Sequence, residues 1–325
     1  MLRHTETPPV AEATSTAAIV RPPKPRRPRE PHLYERGAIS DMDRKRPSVR
    51  VWLGLWQTLI LVGLLVVALG PLLWLFKASV SSSQEILVDP FAMLVNGEFQ
   101  FENFARAWNE VRIGDYLLNT AWVVLGSCVA TLITCTTGGY VLSVLRPKWG
   151  PLLSAAVLAT LFIPNIVSLV PLYLTVIEMP GTGWRLLDTY WAVWLPNAAS
   201  AFLVLIVKRF FDQIPPDLYE AARIDGAGPV RVFFSIVLPL SRPILGVVAL
   251  LTIISAWKDY LWPLLVLTSV DKQPISVALP KVADSIPLNI QMSALFLAII
   301  IPISLFLLFQ KQFLEGAGTA GAVKG

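Results

Sequence analysis

Apolar residues along this chain gather into six long runs separated by short polar stretches. Val51 to Phe76 carries no charged residue, and neither do Tyr116 to Leu145, Gly150 to Ile177, Thr189 to Val207 or Ser285 to Gln310. The run from Pro243 to about Val270 is broken only by Lys258 and Asp259. Each run meets the roughly 20-residue length that crosses a hydrocarbon core as a helix. The pattern predicts an all-α polytopic membrane protein with six transmembrane helices. An even number of crossings puts both termini on one side.

The polar stretches give the orientation, because Lys and Arg mark cytoplasmic flanks. Arg44, Lys45, Arg46 and Arg50 precede span 1. Arg146 and Lys148 separate spans 2 and 3, while Lys208, Arg209, Arg223, Arg231 and Arg242 lie between spans 4 and 5. Lys311 follows span 6. The opposite loops are acidic or mixed, with Glu85, Asp89, Glu98, Glu102, Glu110 and Asp115, then Glu178 and Asp188, then Asp271 and Asp284. Both termini and the loop at about 209–242 are therefore expected in the cytoplasm.

Composition agrees: 54% of the residues are hydrophobic and 15% are charged, against about 25% charged in soluble domains. Within the net charge of +5, placement matters more than the sum. Residues 1–50 hold "RPPKPRRPRE" and few apolar side chains, too few to build a core. They show no apolar stretch ending in a small-residue cleavage site, so they do not read as a signal peptide. A basic arm of this kind suits nucleic acid in other settings. Beside a membrane it reads as a disordered cytoplasmic tail held near anionic lipid, and no nucleic-acid partner is expected. Residues 51–310 are expected to form the transmembrane domain and 311–325 a Gly-rich cytoplasmic tail. The two cysteines, Cys128 and Cys135, would lie about 10 Å apart along one helix, too far for a disulfide. His4 and His32 have no second ligand at metal-binding spacing, so no metal site is expected.

The loop "IPPDLYEAARIDGAGPVRVFFSIVLPLSRP", Ile214 to Pro243, carries the most information. Pro215 and Pro216 stop span 4 from continuing, and Asp217 suits the first turn of a new helix. Leu218, Ala221, Ala222 and Ile224 supply an apolar face. Asp225 and Gly226 end the helix, Gly226 being able to take positive φ. Pro229 opens a second helix, with Val232, Phe233, Ile236 and Val237 on its apolar face. Pro239 and Pro243 break the chain before span 5.

Glu220-Ala221-Ala222, Gly226, and Ile236-x-Leu238-Pro239 at this spacing resemble the EAA loop of ATP-binding-cassette (ABC) importer permeases. "EAARIDGA", "LPLSRPIL" and "AWKDYLWPL" are similar to the carbohydrate-uptake branch of that family, the maltose and multiple-sugar type. "NTAWVV" (Asn119 to Val124), "IPNIVSLVPLY" (Ile163 to Tyr173) and "TAGAVKG" (Thr319 to Gly325) fit the same branch. The likeness runs from about residue 50 to the C-terminus. Lys258 departs from it, standing where such permeases more often carry Asn.

The resemblance implies a transporter subunit and not an enzyme, in a bacterial or archaeal cytoplasmic membrane. The chain has no phosphate-cradling G-x-x-x-x-G-K-[ST] motif, so ATP and Mg belong to a separate ATPase. Implied partners are a second homologous permease subunit, two ATPase subunits, an extracytoplasmic solute-binding protein and membrane lipid. By the family's pattern, Glu220, Ala221, Ala222, Asp225 and Gly226, with Leu238 and Pro239, couple the permease to the ATPase. In maltose-type relatives the C-terminal tail reaches the ATPase dimer, which assigns that contact to Thr319, Ala320, Gly321, Lys324 and Gly325. The implied cargo is a sugar. Glycerol-3-phosphate-like esters or polyamines are the alternatives.

Polar groups inside spans usually face a cavity or a partner helix. Asn165, Ser168, Asn197, Ser200, Trp257, Asp259 and Asn289 are the candidates for a substrate path, Gln291 lies nearby, and Trp257, Tyr260 and Trp262 offer faces for a sugar ring. Trp and Tyr at span ends also serve as interfacial anchors, and Asn and Ser as helix–helix contacts. Pro164, Pro171 and Pro196 can break helices along such a path. Gly316 to Gly321 spells G-x-G-x-x-G, the dinucleotide fingerprint. No strand precedes it and no helix or acidic residue can follow, so a membrane oxidoreductase is a remote reading. The glycines are expected to give an irregular tail beyond a span that ends near Lys311.

Overall fold

The computed structural model describes residues 47–322. Residues 1–46, with most of the basic Pro-rich stretch and both histidines, and residues 323–325, with Lys324 and Gly325, lie outside the described residues. Among the described residues every regular element is helical. The chain divides into two units, residues 1–64 and 65–325.

The described part of the first unit is the opening stretch of helix α1 (Pro47–Ser79). Its side chains, Trp52 and Trp56 among them, are largely exposed apolar groups, as suits a helix whose solvent is lipid. The helix is under way by Pro47.

The second unit is built around α4 (Ile113–Tyr140), which continues as a π-helical turn over Val141–Leu145. Against it pack α7 (Trp191–Ala198), α8 (Ala201–Phe211) and α11 (Arg242–Lys258), and α14 (Leu288–Ala322) lies on α11. Gly139 permits the close approach of α8: a Cβ there would meet Val207 at 2.9 Å and the Lys208 backbone nitrogen at 3.1 Å. Small residues let membrane helices meet in this way.

Among the described residues, three helices are long and apolar enough to cross a membrane alone: Pro47–Ser79, Ile113–Leu145 and Leu288–Leu308. The other three runs are bent pairs. The run from Gly150 forms α5 (Gly150–Thr160) and α6 (Asn165–Ile177), which meet at 106°. Pro164 sits at the break and denies α6 a continuous start. Helices α7 and α8 meet at 47° just after Pro196. The segment Pro229–Leu240 meets α11 at 77°. Beyond Lys258 the chain breaks again before α12 (Leu261–Val266).

Helix α14 runs on through Ala322. The irregular tail expected from Gly316 to Gly321 is thus corrected: the backbone from Glu315 to Ala322 is helical. A helix already 28 residues long by Glu315 needs no new nucleus. Each further turn forms its own hydrogen bonds, and these offset the roughly 1 kcal/mol that a glycine costs. The G-x-G-x-x-G string lies inside this helix, without a preceding strand.

The acidic loops gather at one end of the second unit, tied by buried polar groups. Lys77 pairs with Glu85 at 3.2 Å. The Asn96 N–H donates to that carboxylate, and chiefly for this reason its pKa falls below the usual range. The Asn103 amide donates to the carbonyls of Ser79 and Ser81, both at 3.1 Å. Asn119 donates to the carbonyls of Asp271 and Gln273 at 2.7 and 3.1 Å and accepts from the Tyr190 hydroxyl. Asp188, at φ 59°, receives Ser269 and Lys272. Burial opposes its ionisation, but these donors outweigh it and hold its pKa down to about 2.

Candidate functional site

The opposite end of the second unit collects the basic loops, and the Ile214–Pro243 segment folds there as a helix–turn–helix. Pro216 opens α9 (Pro216–Ile224) at its first position, with Asp217 in the first turn. Gly226 takes φ 75°. Its N–H donates to the Arg223 carbonyl at 3.0 Å, and the Ala227 N–H reaches the Ala222 carbonyl at 2.9 Å. That bond pair is a Schellman stop, which requires a left-handed residue at position 226. Pro229 then begins α10 (Pro229–Val232), which continues as a π-helical turn, Phe233–Val237, and a short helix, Leu238–Leu240. The Leu238 N–H donates five residues back to Phe233. This wider turn precedes Pro239, which has no N–H to give.

The two alanines face opposite ways. Ala222 is buried in a cluster with Tyr140, Phe211, Val232, Phe233 and Val237. Ala221 and Glu220 are exposed, as are Arg223 and Asp225. The single apolar face expected from Leu218, Ala221, Ala222 and Ile224 is therefore corrected to two. Ala222 and the partly buried Tyr219 hold the helix down. Leu218, Ala221 and Ile224 point away from the core, Ile224 at 86% exposure, together with Val230 and Phe234 of the second helix. Exposed apolar side chains rimmed by charge are a surface of the kind that proteins, membranes or ligands cover.

Residues that sequence reasoning did not single out anchor this element. The Tyr140 hydroxyl donates to the Pro229 carbonyl at 2.8 Å, and its ring packs on Phe233 at 5.0 Å. The end of α4 is thereby tied to the turn between the two short helices. Asp212, which caps α8, accepts from Ser143 at 2.7 Å and from Lys208 at 2.8 Å. Burial opposes ionisation of Asp212, but these two donors, with the charges of Lys208 and Arg146, hold its pKa below the usual range. The one readable signal was the short spacing from Asp212 to Pro215. Tyr140→Phe removes one hydrogen bond and keeps the ring contact. At about 1 kcal/mol for such a bond, backbone amides of residues 216–240 are expected to exchange about fivefold faster, read by hydrogen-exchange mass spectrometry.

The candidates for a substrate path fall at the helix breaks and are not equally free. Asn165 and Ser168 are exposed in the first turns of α6. Asn197 donates to Ser127, and its carbonyl accepts from Thr131. Ser200 caps α8 through the Leu203 N–H. Trp257 and Asp259 flank the break after α11, where the Asp259 carbonyl accepts from Ser276 at 2.7 Å. Asn289 is buried, accepting from Ser83 and donating to Asn103, both at 2.8 Å. Trp262 is also buried and donates to the Ala192 carbonyl. Those two side chains are used in packing.

Fold and site together define a membrane-embedded helical protein with an exposed helix–turn–helix at its basic end. The profile of the family described as "binding-protein-dependent transport system inner membrane component" matches residues 123–315. The chain is 32% identical over 269 residues to the diacetylchitobiose uptake system permease protein of Streptomyces coelicolor, covering 82% of this chain and 84% of that one. It is 30% identical over 288 residues to the arabinooligosaccharides transport system permease protein of Halalkalibacterium halodurans, covering 87% and 100%. It is 31% identical over 286 residues to the sn-glycerol-3-phosphate transport system permease protein of Rhizobium meliloti, covering 85% and 98%. A chain in the crystal structure of a bacterial ABC transporter that imports the acidic polysaccharide alginate superposes with a TM-score of 0.73 at 23% identity, covering 85% and 99%. That likeness concerns the fold. The chain belongs to the binding-protein-dependent inner membrane component family.

Proposed function

We propose that this chain is one permease subunit of an ATP-driven importer that moves a saccharide delivered by an extracytoplasmic binding protein. Each bent helix pair counts as one crossing in this reading, giving six spans with both termini and the 209–242 loop in the cytoplasm. The segregation of charge supports that orientation: Arg146, Lys148, Lys208, Arg223 and Arg231 lie at the end carrying the helix–turn–helix, and Glu85, Asp115, Asp188 and Asp271 lie at the other.

The observation that carries the proposal is α9 itself, anchored by Ala222 and presenting Glu220, Ala221 and Ile224 outward. An ATPase subunit covers this face, with ATP and Mg held by that partner. Closing of two such subunits carries the docked helices with it and rocks the membrane halves between inward-open and outward-open states. Thr319, Ala320 and Gly321, on the helical extension of α14, make a second contact with the ATPase pair, joined by Lys324 and Gly325. A second permease subunit completes the pathway, which passes Asn165, Ser168, Trp257 and Asp259, with Asn197, Ser200 and Asn289 beside it as the other candidates.

Saccharide cargo is supported by the relatives of Streptomyces and Halalkalibacterium. The Rhizobium relative supports a glycerol-3-phosphate-like ester as the second reading. Co-expression with the ATPase, the second permease and the binding protein, followed by uptake into energised vesicles, tests both. Saccharide uptake that needs ATP is expected. Uptake of the phosphate ester instead would select the second reading, and uptake that proceeds without ATP would defeat both.

A further inference from the structure

Beside the helix–turn–helix an open groove of about 650 Å³ runs between the end of α4, the start of α5 and the end of α8. Its charged lining is Arg146, Lys148, Lys208 and Asp212, Ser154 adds a hydroxyl, and its apolar lining includes Leu142 and Pro151. Three cations against one carboxylate leave two positive charges over. Asp212 is already engaged by Lys208 at 2.8 Å and Ser143 at 2.7 Å. Arg146 lies 3.9 Å from Asp212, and its Nε donates to the Ser143 carbonyl at 2.6 Å, which aims the guanidinium while leaving its other donors available. Lys148 is exposed and has no ion-pair partner among the described residues.

We infer that this groove holds the phosphate headgroup of an anionic lipid. A fixed guanidinium beside two ammonium groups matches a phosphate ester in charge and in hydrogen-bond donors. Free phosphate would satisfy the cations equally. The lipid is favoured because the groove continues into apolar surface. Trp149, 56% exposed, stands between the cations and α5 as an interfacial anchor does. Leu152, 76% exposed, follows Pro151 of the groove wall and offers apolar surface for an acyl chain. Basic pockets between membrane helices at the cytoplasmic side recognise anionic headgroups in this way.

The site has a consequence for coupling. The Ser143–Asp212 hydrogen bond, with Arg146 3.9 Å from the same carboxylate, ties the end of α4 to the end of α8, and Pro215, which caps α9, follows Asp212 by three residues. A headgroup that draws on Arg146 and Lys208 therefore acts on the frame from which the docking helix projects. The leaflet occupied rests on the orientation proposed above.

The test uses the assembled transporter, delipidated and returned to phosphatidylcholine bilayers with or without phosphatidylglycerol. Native mass spectrometry reads the bound lipid. The wild type is expected to retain phosphatidylglycerol in preference to phosphatidylcholine. Lys148→Glu, a two-unit charge change at an unpaired side chain, is expected to weaken retention about 25-fold, at about fivefold per basic charge. Lys148→Arg is expected to retain it. Unchanged retention in Lys148→Glu, or a groove covered by another subunit with no lipid bound, overturns the inference. Displacement by millimolar inorganic phosphate alone would reassign the site to the free anion. ATPase association and basal hydrolysis are expected to survive Lys148→Glu. Failure of wild-type ATPase to associate would count against the permease reading and not against the lipid site.

Discussion

Gly226→Val is expected to lower ATP-coupled uptake about tenfold or more while the permease stays folded in the membrane. At φ 75° the position lies where L-residues are disfavoured, at a cost of roughly 1–2 kcal/mol and more for a β-branched side chain. Space does not resist the change: a Cβ built there meets nothing within 4 Å. The strain therefore falls on the turn alone. Its relief is to lose the left-handed residue and, with it, the bonds from the Gly226 and Ala227 N–H groups to the Arg223 and Ala222 carbonyls. Those bonds fix the direction in which the chain leaves α9. A penalty near 1.4 kcal/mol is about tenfold in the population of the docking-competent turn, and the clusters elsewhere in the second unit are untouched. Gly226→Asn is the control, because Asn tolerates the left-handed region; it is expected to keep ATPase co-purification and uptake within about twofold of wild type. Wild-type uptake by Gly226→Val would show that the turn has no part in coupling. Equal loss in both variants would point to a side chain clashing with the partner.

The membrane class and this turn were legible in the sequence for the same reason: each rests on a requirement that few residue types meet. An uncharged run such as Val51 to Phe76 has few stable environments outside hydrocarbon, and it reappears within α1. Gly226 between Asp225 and Pro229 leaves few backbone solutions, and the positive φ is found. Helix direction was not legible. The run from Gly150 to Ile177 is uniformly apolar, and hydropathy does not record that the chain turns by 106° at Leu161–Pro164. Side-chain allegiance was also hidden. Asn289 and Trp262 carry the chemistry of a sugar site, yet Asn103, Ser83 and the Ala192 carbonyl, all distant in sequence, satisfy them inside the fold. Tyr140 carries no distinguishing signal in the sequence. Only the arrival of the Pro229 carbonyl at its hydroxyl gives it a role. The C-terminal glycines misled in the opposite sense, because local propensity was outweighed by a long helix already formed.

The two faces of α9 separate anchoring from docking, and paired substitutions at adjacent alanines can tell them apart. Ala222 is 7% exposed and packed among Tyr140, Val232 and Phe233. Ala222→Leu forces extra methylenes into that cluster at about 1–3 kcal/mol. In the isolated permease, amides of residues 216–240 are then expected to lose protection, and ATPase binding falls as a consequence. Ala221 is exposed, so Ala221→Leu leaves the exchange pattern of the isolated permease as it was. The added bulk meets only the partner, where a small residue permits close helix approach, and ATPase co-purification and uptake are expected to fall about tenfold or more. Both variants lose transport, but only Ala222→Leu loosens the helix before any partner is present. If Ala221→Leu binds the ATPase normally, the outward face of α9 is not the docking surface. If Ala222→Leu leaves the isolated loop unperturbed, the cluster beneath the helix does not hold it. The physical basis of the pair is that an element transmitting force between subunits needs a rigid seat on one side and a close-fitting contact on the other. One turn of helix can provide both only when successive residues are divided between them.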